Sequence, residues 1–469
     1  MADENIKYTP LYLQVKDIIL KRLVEGKYKP GERIPSESVL ASDFKISIST
    51  VRQALSILVS EGYLEKKQGK GTYVSEKKIK ISFMSWVGET KRGLEIIKNV
   101  IDKFERKYFS IRIEYIPTTY PKARKDLLQL VSNGKAPDVA QIVSHWTSYF
   151  ASMGVFEPLD DLLDRDNLKN RFYDKDLLGG VYHNKIYSVS YGLCPMSLIV
   201  NKSVLQKLDI SLPVLPMTLK QFEDICENIR SRDANIYCYG LCTTNDETDF
   251  LRIYTFLQAF GGGFVDRNEK VIFNSKENKE GFKWLKEFVK RNKIFSADIY
   301  TIRSEFAKGN IAFITDGPWI RYLINELTGE NFDDNFQIVL NPTYKDNNSY
   351  SWNYNHALAI CSQSKNKFYA AKFIDEITND YEISNHYYTT VGHLPPNKNY
   401  LNEKFYNNDF YSTLKRQLEY SEVLNAQNAM FEKAMVLCQD AVNRILFKDV
   451  NIQKELDEKN YYLKMLYYD

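Results

Sequence analysis

Two sets of side chains in this chain could do chemistry. In the first, Ser47, Ser49, Thr50, Arg52 and Gln53 share a segment with Val51, Ala54, Leu55 and Leu58, whose spacing gathers the apolar residues on one helical face. The other faces then present hydroxyls, an amide and a guanidinium, groups able to hydrogen-bond base edges and phosphates. Close behind, Gln68, Gly69, Lys70, Gly71 and Thr72 make a basic tip between two short runs of strand-forming residues. In the second set, Trp86, Tyr120, Trp146, Tyr191, Trp319, Trp352 and Tyr354 offer flat apolar faces, and Glu89, Asp138, His145, Asn245, Asp246, Asn353 and His393 offer donors and acceptors. Aromatic faces lie on the C–H patches of sugar rings while polar groups satisfy the hydroxyls, so the mixture suits a carbohydrate, and best an oligosaccharide.

Other chemistry is poorly represented. The five histidines lie far apart in sequence without metal-ligand spacing, and no serine sits in a Gly-x-Ser-x-Gly elbow. "DDLLDRD", residues 160–166, reads as a solvated helix start rather than as paired catalytic carboxylates. Cys194, Cys226, Cys238, Cys242, Cys361 and Cys438 are scattered without Cys-x-x-Cys spacing and are expected as reduced core thiols. We therefore expect no catalysis, no metal and no cofactor.

The elements that position the first set can be read closely. At 469 residues the chain exceeds what one core organises, so two or three domains are expected. Residues 1–78 hold fourteen Lys and Arg against ten Asp and Glu, which places the basic excess at the N-terminus. Leu11, Val15, Ile18, Ile19 and Leu23 have helical spacing. "GKYKPGERIPSE" then breaks the chain before Ser36 caps a short second helix carrying Val39, Leu40 and Phe44, and a third helix begins after "KISIS". "EGYLEKKQGKGTYV" follows as a two-stranded hairpin. Three helices and a basic hairpin predict a winged helix-turn-helix, with the third helix in the major groove of double-stranded DNA and the wing along its backbone.

On these residues the segment from 8 to 75 resembles the DNA-binding domain of the GntR family of bacterial repressors; the matching stretches are "PLYLQVKDIIL", "GKYKPGERIPSE" and "STVRQALSILVSEGYLEKKQGKGTYV". The resemblance implies that Arg52 reads bases beside Thr50, that Lys70 and Gly71 form the wing tip, and that Ser36, Glu37, Ser38, Ser47, Ser49, Gln53, Gln68, Gly69 and Thr72 complete the DNA-facing set. Two positions depart from the family pattern: Ser38 and Ile48 stand where arginines are usual, which removes two potential guanine contacts.

The remaining residues suit one of two large sensors. An aminotransferase-like domain with pyridoxal phosphate is the alternative, but it needs a lysine in a glycine-rich phosphate cradle that this half lacks. The other reading has positive signals. "KIKISFMSW", the amphipathic "GETKRGLEIIKNVIDKFERKY" and "IRIEYIP" predict a strand–helix–strand crossover that opens a parallel sheet, and "KARKDLLQLVSNGKAPDVAQIV" adds a helix and a third strand. Together with "MGVFEPLDDLL", "FLQAFGGGFVD" and "FAKGNIAFITDGPWIRYLI", these resemble the extracellular solute-binding proteins of sugar importers. The resemblance implies an α/β fold in which the winged helix-turn-helix of residues 1–77 precedes a bilobal periplasmic-binding-protein type II-like domain at 78–469, with Trp86, the Trp146 region and Trp319 at its cleft. "MADENIKYTP" lacks the basic and apolar regions of an export signal, so the receptor-like half is expected in the cytoplasm, away from any membrane. A carbohydrate-sensing repressor is implied, working as a homodimer on operator DNA. The tail from Lys415 should close the second lobe with packed helices, and "NYYLKMLYYD" is either a docked terminal helix or part of a dimer contact.

Overall fold

The computed structural model describes residues 10–468 apart from 109, 245–247, 267–269, 345–347 and 423–427. They form two compact units, one of residues 1–140 and 360–383, the other of 141–359 and 384–469.

In the first unit, α1 (Leu11–Val24), α2 (Glu37–Phe44) and α3 (Ile48–Ser60) are followed by the hairpin β1 (Leu64–Lys67) and β2 (Gly71–Val74). Caps fix the helix starts: the Ser36 hydroxyl accepts from Val39 N at 3.4 Å, and that of Ser47 accepts from Thr50 N at 3.1 Å. Val51, Ala54, Leu55 and Leu58 form the buried stripe of α3, as its spacing predicts. Two other stripes differ from the sequence reading. Leu11 and Ile18 of α1 are half exposed while Leu20 and Val24 are buried, because α1 packs against α3 and also against the helix Lys367–Asn379, here termed the return helix. In α2, Val39 faces outward and Ala41 takes its place in the core.

The predicted crossover is present. β3 (Ile79–Ser85), α4 (Lys91–Lys107) and β4 (Ile111–Pro117) give a parallel pair in register from Ile79 and Ile111 to Ser85 and Pro117, and α5 (Tyr120–Ser132) leads to β5 (Val139–Val143), parallel to β3 at Phe83 and Met84. The return helix closes this unit, with Phe373 packed edge-on against both Phe83 and Phe104. Lys107 pairs with Glu376 at 2.7 Å and with Asp380 at 2.5 Å, and so ties α4 to the return helix.

In the second unit, β6 (Ser188–Gly192) pairs antiparallel with β12 (His356–Ile360). A five-stranded sheet has the order β9 (Ile294–Ala297), β8 (Tyr237–Cys242), β10 (Ile311–Asp316), β7 (Ser197–Asn201), β11 (Phe336–Val339). β8 runs parallel to β9 and β10, whereas β7 is antiparallel to both its neighbours, so this sheet is mixed rather than wholly parallel. Three helices pack near it: α6 (Asp249–Ala259), α7 (Phe431–Phe447) and α8 (Ile452–Tyr468). Ala434, Val442 and Ile445 are buried in α7, and α8 docks through Leu456 and Leu463 while Tyr461, Tyr462 and Met465 remain exposed; Val423 and Leu424 lie outside the described residues. All six cysteines are buried free thiols. No helix among the described residues is long and apolar enough to cross a membrane.

Candidate functional site

The nucleic-acid side is assembled by short-range geometry. The Ser47 hydroxyl lies 2.8 Å from that of Ser49 and 2.7 Å from that of Thr50, which sets these side chains at the first turn of α3. Arg52 and Gln53 point to solvent from the next turn. Glu37, one of the predicted DNA-facing residues, instead accepts from Arg52 Nε at 2.8 Å and lies 3.6 Å from Lys66 Nζ. This holds Arg52 along the surface between α2 and α3 in a pair that remains open to water. Ser36 and Ser38 share a hydrogen bond at 2.9 Å at the exposed start of α2.

The wing turns at Gln68, Gly69 and Lys70, all exposed, with Gly69 at φ 70° and Gly71 at φ 113°. Only glycine adopts the second conformation readily, and a Cβ on Gly71 would fall 2.6 Å from Arg33 Nε. Arg33, which lies against the predicted wing residue Gly71 and adds a cation there, is a residue that sequence reasoning misses, since nothing local marks it as a neighbour of the wing tip. Lys67 sits over the Tyr73 ring at 4.5 Å.

The module is joined to the rest of its unit by a specific contact. Tyr63, just before β1, stacks on Tyr369 of the return helix with centroids 5.5 Å apart, and its hydroxyl donates to Asn366 Oδ1 at 2.8 Å and to Lys365 O at 3.1 Å. Asn366 Nδ2 in turn donates to Lys80 O in β3 at 3.2 Å. This joint was not anticipated, because nothing local marks residues 303 positions apart as partners.

The residues assigned to solute binding divide between the units. In the first, Trp86 and Tyr120 meet edge to face at 5.6 Å, and Tyr120 N donates to Glu89 Oε2 at 3.2 Å, so these three form one group at the ends of β3 and β4. Asp138 stands apart from them: its carboxylate accepts from Ser82 N and Ser82 Oγ at 2.8 Å each and from Ser364 Oγ at 2.5 Å. In the second unit, Trp319 is the centre. It stacks on His356 at 5.6 Å and 12°, meets Tyr354 at 5.6 Å and His393 at 6.2 Å, and Tyr354 meets His145 at 5.2 Å, beside Trp146. Trp319 Nε1 donates to Asp316 Oδ1 at 3.0 Å. Asp316 is wholly buried and held by a two-pronged bond from Arg303, at 2.6 Å and 2.9 Å, with Arg252 at 3.7 Å. Burial alone would raise its carboxyl, but the two guanidiniums hold it below its ordinary value. The indole of Trp319 is thus fixed at both its ring face and its N–H, while the side chain stays partly accessible.

Three further assigned residues are enclosed. Trp352 donates from Nε1 to Leu251 O at 2.6 Å, and Asn353 bridges Asp176 and Cys194 N, at 2.9 Å each. Tyr191 stacks on Tyr387 at 4.4 Å. Burial pushes Asp176 up to about 6, against the pull of Asn355, Lys175 and Asn353, and it pulls His356 down to about 3 and His393 down as well, with His356 adding to the fall. Asn245 and Asp246 lie outside the described residues. Histidines that the sequence separates are here brought together, since His356 and His393 meet at 4.5 Å.

Comparison with known proteins matches two separate stretches of the chain. Residues 99–410 match the family of bacterial extracellular solute-binding proteins, and residues 11–74 match the bacterial regulatory proteins of the gntR family. An HTH-type transcriptional regulator of Bacillus subtilis, YurK, is 29% identical over 193 residues, which is 38% of this chain and 77% of that one. The arabinose metabolism transcriptional repressor of Geobacillus stearothermophilus is 50% identical over 74 residues, 16% of this chain and 20% of that one. A maltotriose-binding protein of Pyrococcus abyssi is 25% identical over 303 residues, 63% of each. Among solved structures, the GacH receptor of Streptomyces glaucescens superposes with a TM-score of 0.73 at 17% identity, covering 84% of this chain and all of that one. The aminotransferase-like alternative is set aside, since the residues it would occupy match the solute-binding family instead.

Proposed function

This chain belongs to the bacterial extracellular solute-binding protein family and carries a gntR-type regulatory module ahead of it, and we propose that it is a transcriptional regulator that binds operator DNA and senses a carbohydrate. The observation that carries this reading is the joint of Tyr63 with Tyr369 and Asn366, which fastens the DNA-reading module to a receptor element rather than leaving it on a free tether. We place the boundary after residue 77, in the segment that follows Val74 with no glycine- or proline-rich linker. An oligosaccharide is favoured by the partly accessible rings of Tyr120, which packs on the buried Trp86, and Trp319, and by the relatives, one named for maltotriose and one for arabinose metabolism. The working form is a cytoplasmic homodimer on a two-fold operator.

A thermal-shift screen tests the ligand class. Oligosaccharides should raise the melting temperature, since a ligand that binds only the folded state stabilises it, and the sugar should be recovered uncleaved. Shifts by amino acids or peptides and none by sugars would refute the carbohydrate assignment; cleavage of the sugar would make the protein an enzyme. Trp319→Ala should weaken sugar binding while leaving operator binding by the unliganded protein intact.

A further inference from the structure

Three side chains distant in sequence, Cys194, His356 and His393, converge in the second unit. One metal-binding atom of each lies within 4.8 Å of the other two, and all three residues are buried. The imidazoles stand edge to face with centroids 4.5 Å apart, and the Trp319 ring covers His356. One nitrogen of each ring also has a polar neighbour. Nδ1 of His356 lies 3.2 Å from the Gln141 amide, and Nδ1 of His393 lies 3.1 Å from the Tyr387 hydroxyl. A ligating imidazole is ordinarily oriented by a hydrogen bond at one ring nitrogen while the other meets the metal, an arrangement in which Nε2 of each ring would coordinate here. The Tyr387 hydroxyl can accept from Nδ1–H, and so can the Gln141 amide once its oxygen faces the ring. Nε2 of His393 is buried without a hydrogen-bond partner, a desolvation cost that a coordinating ion would relieve.

We propose that Cys194, His356 and His393 bind a zinc(II)-class transition-metal ion through one thiolate and two imidazoles, with Gln141 and Tyr387 as positioning residues. Sulfur and imidazole nitrogen are the donors of zinc, cobalt(II) and copper, whereas magnesium and calcium take oxygen. On binding, the Cys194 Sγ–H bond is replaced by a sulfur–metal bond and one proton passes to solvent, while both imidazoles coordinate as neutral rings. Because Trp319 stacks on His356, the bound ion would also fix the ring beneath that indole.

Cobalt(II), added to the full-length protein stripped by a chelator, is the direct probe. We expect one equivalent to bind with a thiolate-to-cobalt charge-transfer band, one proton to be released, and zinc(II) to displace the cobalt. Cys194→Ser and His393→Gln, each checked for folding by circular dichroism, should abolish the band or weaken zinc binding by about 100-fold, and Tyr387→Phe should weaken it by about tenfold. A band that survives Cys194→Ser would place the metal at another cysteine and overturn the assignment. So would the lack of stoichiometric binding by the wild-type chain, a result that stands even if every variant misfolds.

Discussion

Two arginine–carboxylate pairs in this molecule have similar bond lengths and opposite purposes. Arg52 and Glu37 meet at 2.8 Å with side chains 63% and 23% exposed, whereas Arg303 and Asp316 meet at 2.6 Å with 10% and 0%. The first pair is worth little in water and can be exchanged: Arg52 loses a weak bond if it turns to a base or a phosphate, and Glu37 keeps it poised until then. The second pair cannot open without stranding a charge in the core. It acts as a fixed bracket, whose free function is to accept from the indole of Trp319. Solvent, rather than distance, decides which ion pair is a switchable contact and which is part of the frame.

The comparison is broken most decisively at the buried end. Asp316→Ala should cost about 3–5 kcal/mol in urea unfolding, because Arg303 and Arg252 lose their counter-charge in a dry site. A loss below about 1 kcal/mol would mean that water reaches the bracket. Asp176 sharpens the same point, being as deeply buried as Asp316 but bonded to amides in place of guanidiniums. Its folded pKa, about 6, lies above the unfolded value, so its protonation favours the native state. That stability is fully present below the unfolded pKa near 4 and is lost as pH rises through about 6. Between pH 7 and pH 4 the wild-type protein should gain on the order of 2 kcal/mol from this group, and Asp176→Asn should remove that gain in parallel urea titrations.

At the exposed end, Arg52→Ala should cost about 1–3 kcal/mol in operator affinity and relax specificity, measured by anisotropy on operator and scrambled duplexes. Equal losses on both duplexes would make Arg52 a phosphate contact. Glu37→Gln should change unfolding stability by less than about 0.5 kcal/mol, while operator affinity rises because a competitor for Arg52 has gone. A clear loss of stability there would refute the exchangeable reading.

What the sequence made legible follows the range of the interactions. The helix start at Ser36, the wing tip and the β3–α4–β4 crossover depend on neighbours within a few residues or on periodicity, and the structure contains them all, while α3 begins at Ile48, inside the "KISIS" stretch rather than after it. The half-exposure of Ile18 depends on which second partner α1 meets, here the return helix, and no local pattern carries that; the outward turn of Val39 has no explanation in the structure. Polar residues chosen as sugar contacts illustrate another limit. Asp138 and Asn353 have suitable chemistry, yet their atoms are engaged by Ser82, Ser364, Asp176 and Cys194, and residue type alone does not reveal such prior engagement. The separation of Cys194 and His356 in sequence hides their meeting with His393, which only the fold brings about.

The joint at Tyr63 also has a meaning in time. Its partner Asn366 is made 303 residues later, so at roughly 5–20 residues per second the module leaves the ribosome about 15–60 s before the helix it docks on exists. During that interval Tyr63 and the rest of the DNA-reading end lack the stacking and hydrogen-bond partners they have in the finished chain. A chain cut short before residue 360 would therefore lack the contact that fastens the module to the receptor element.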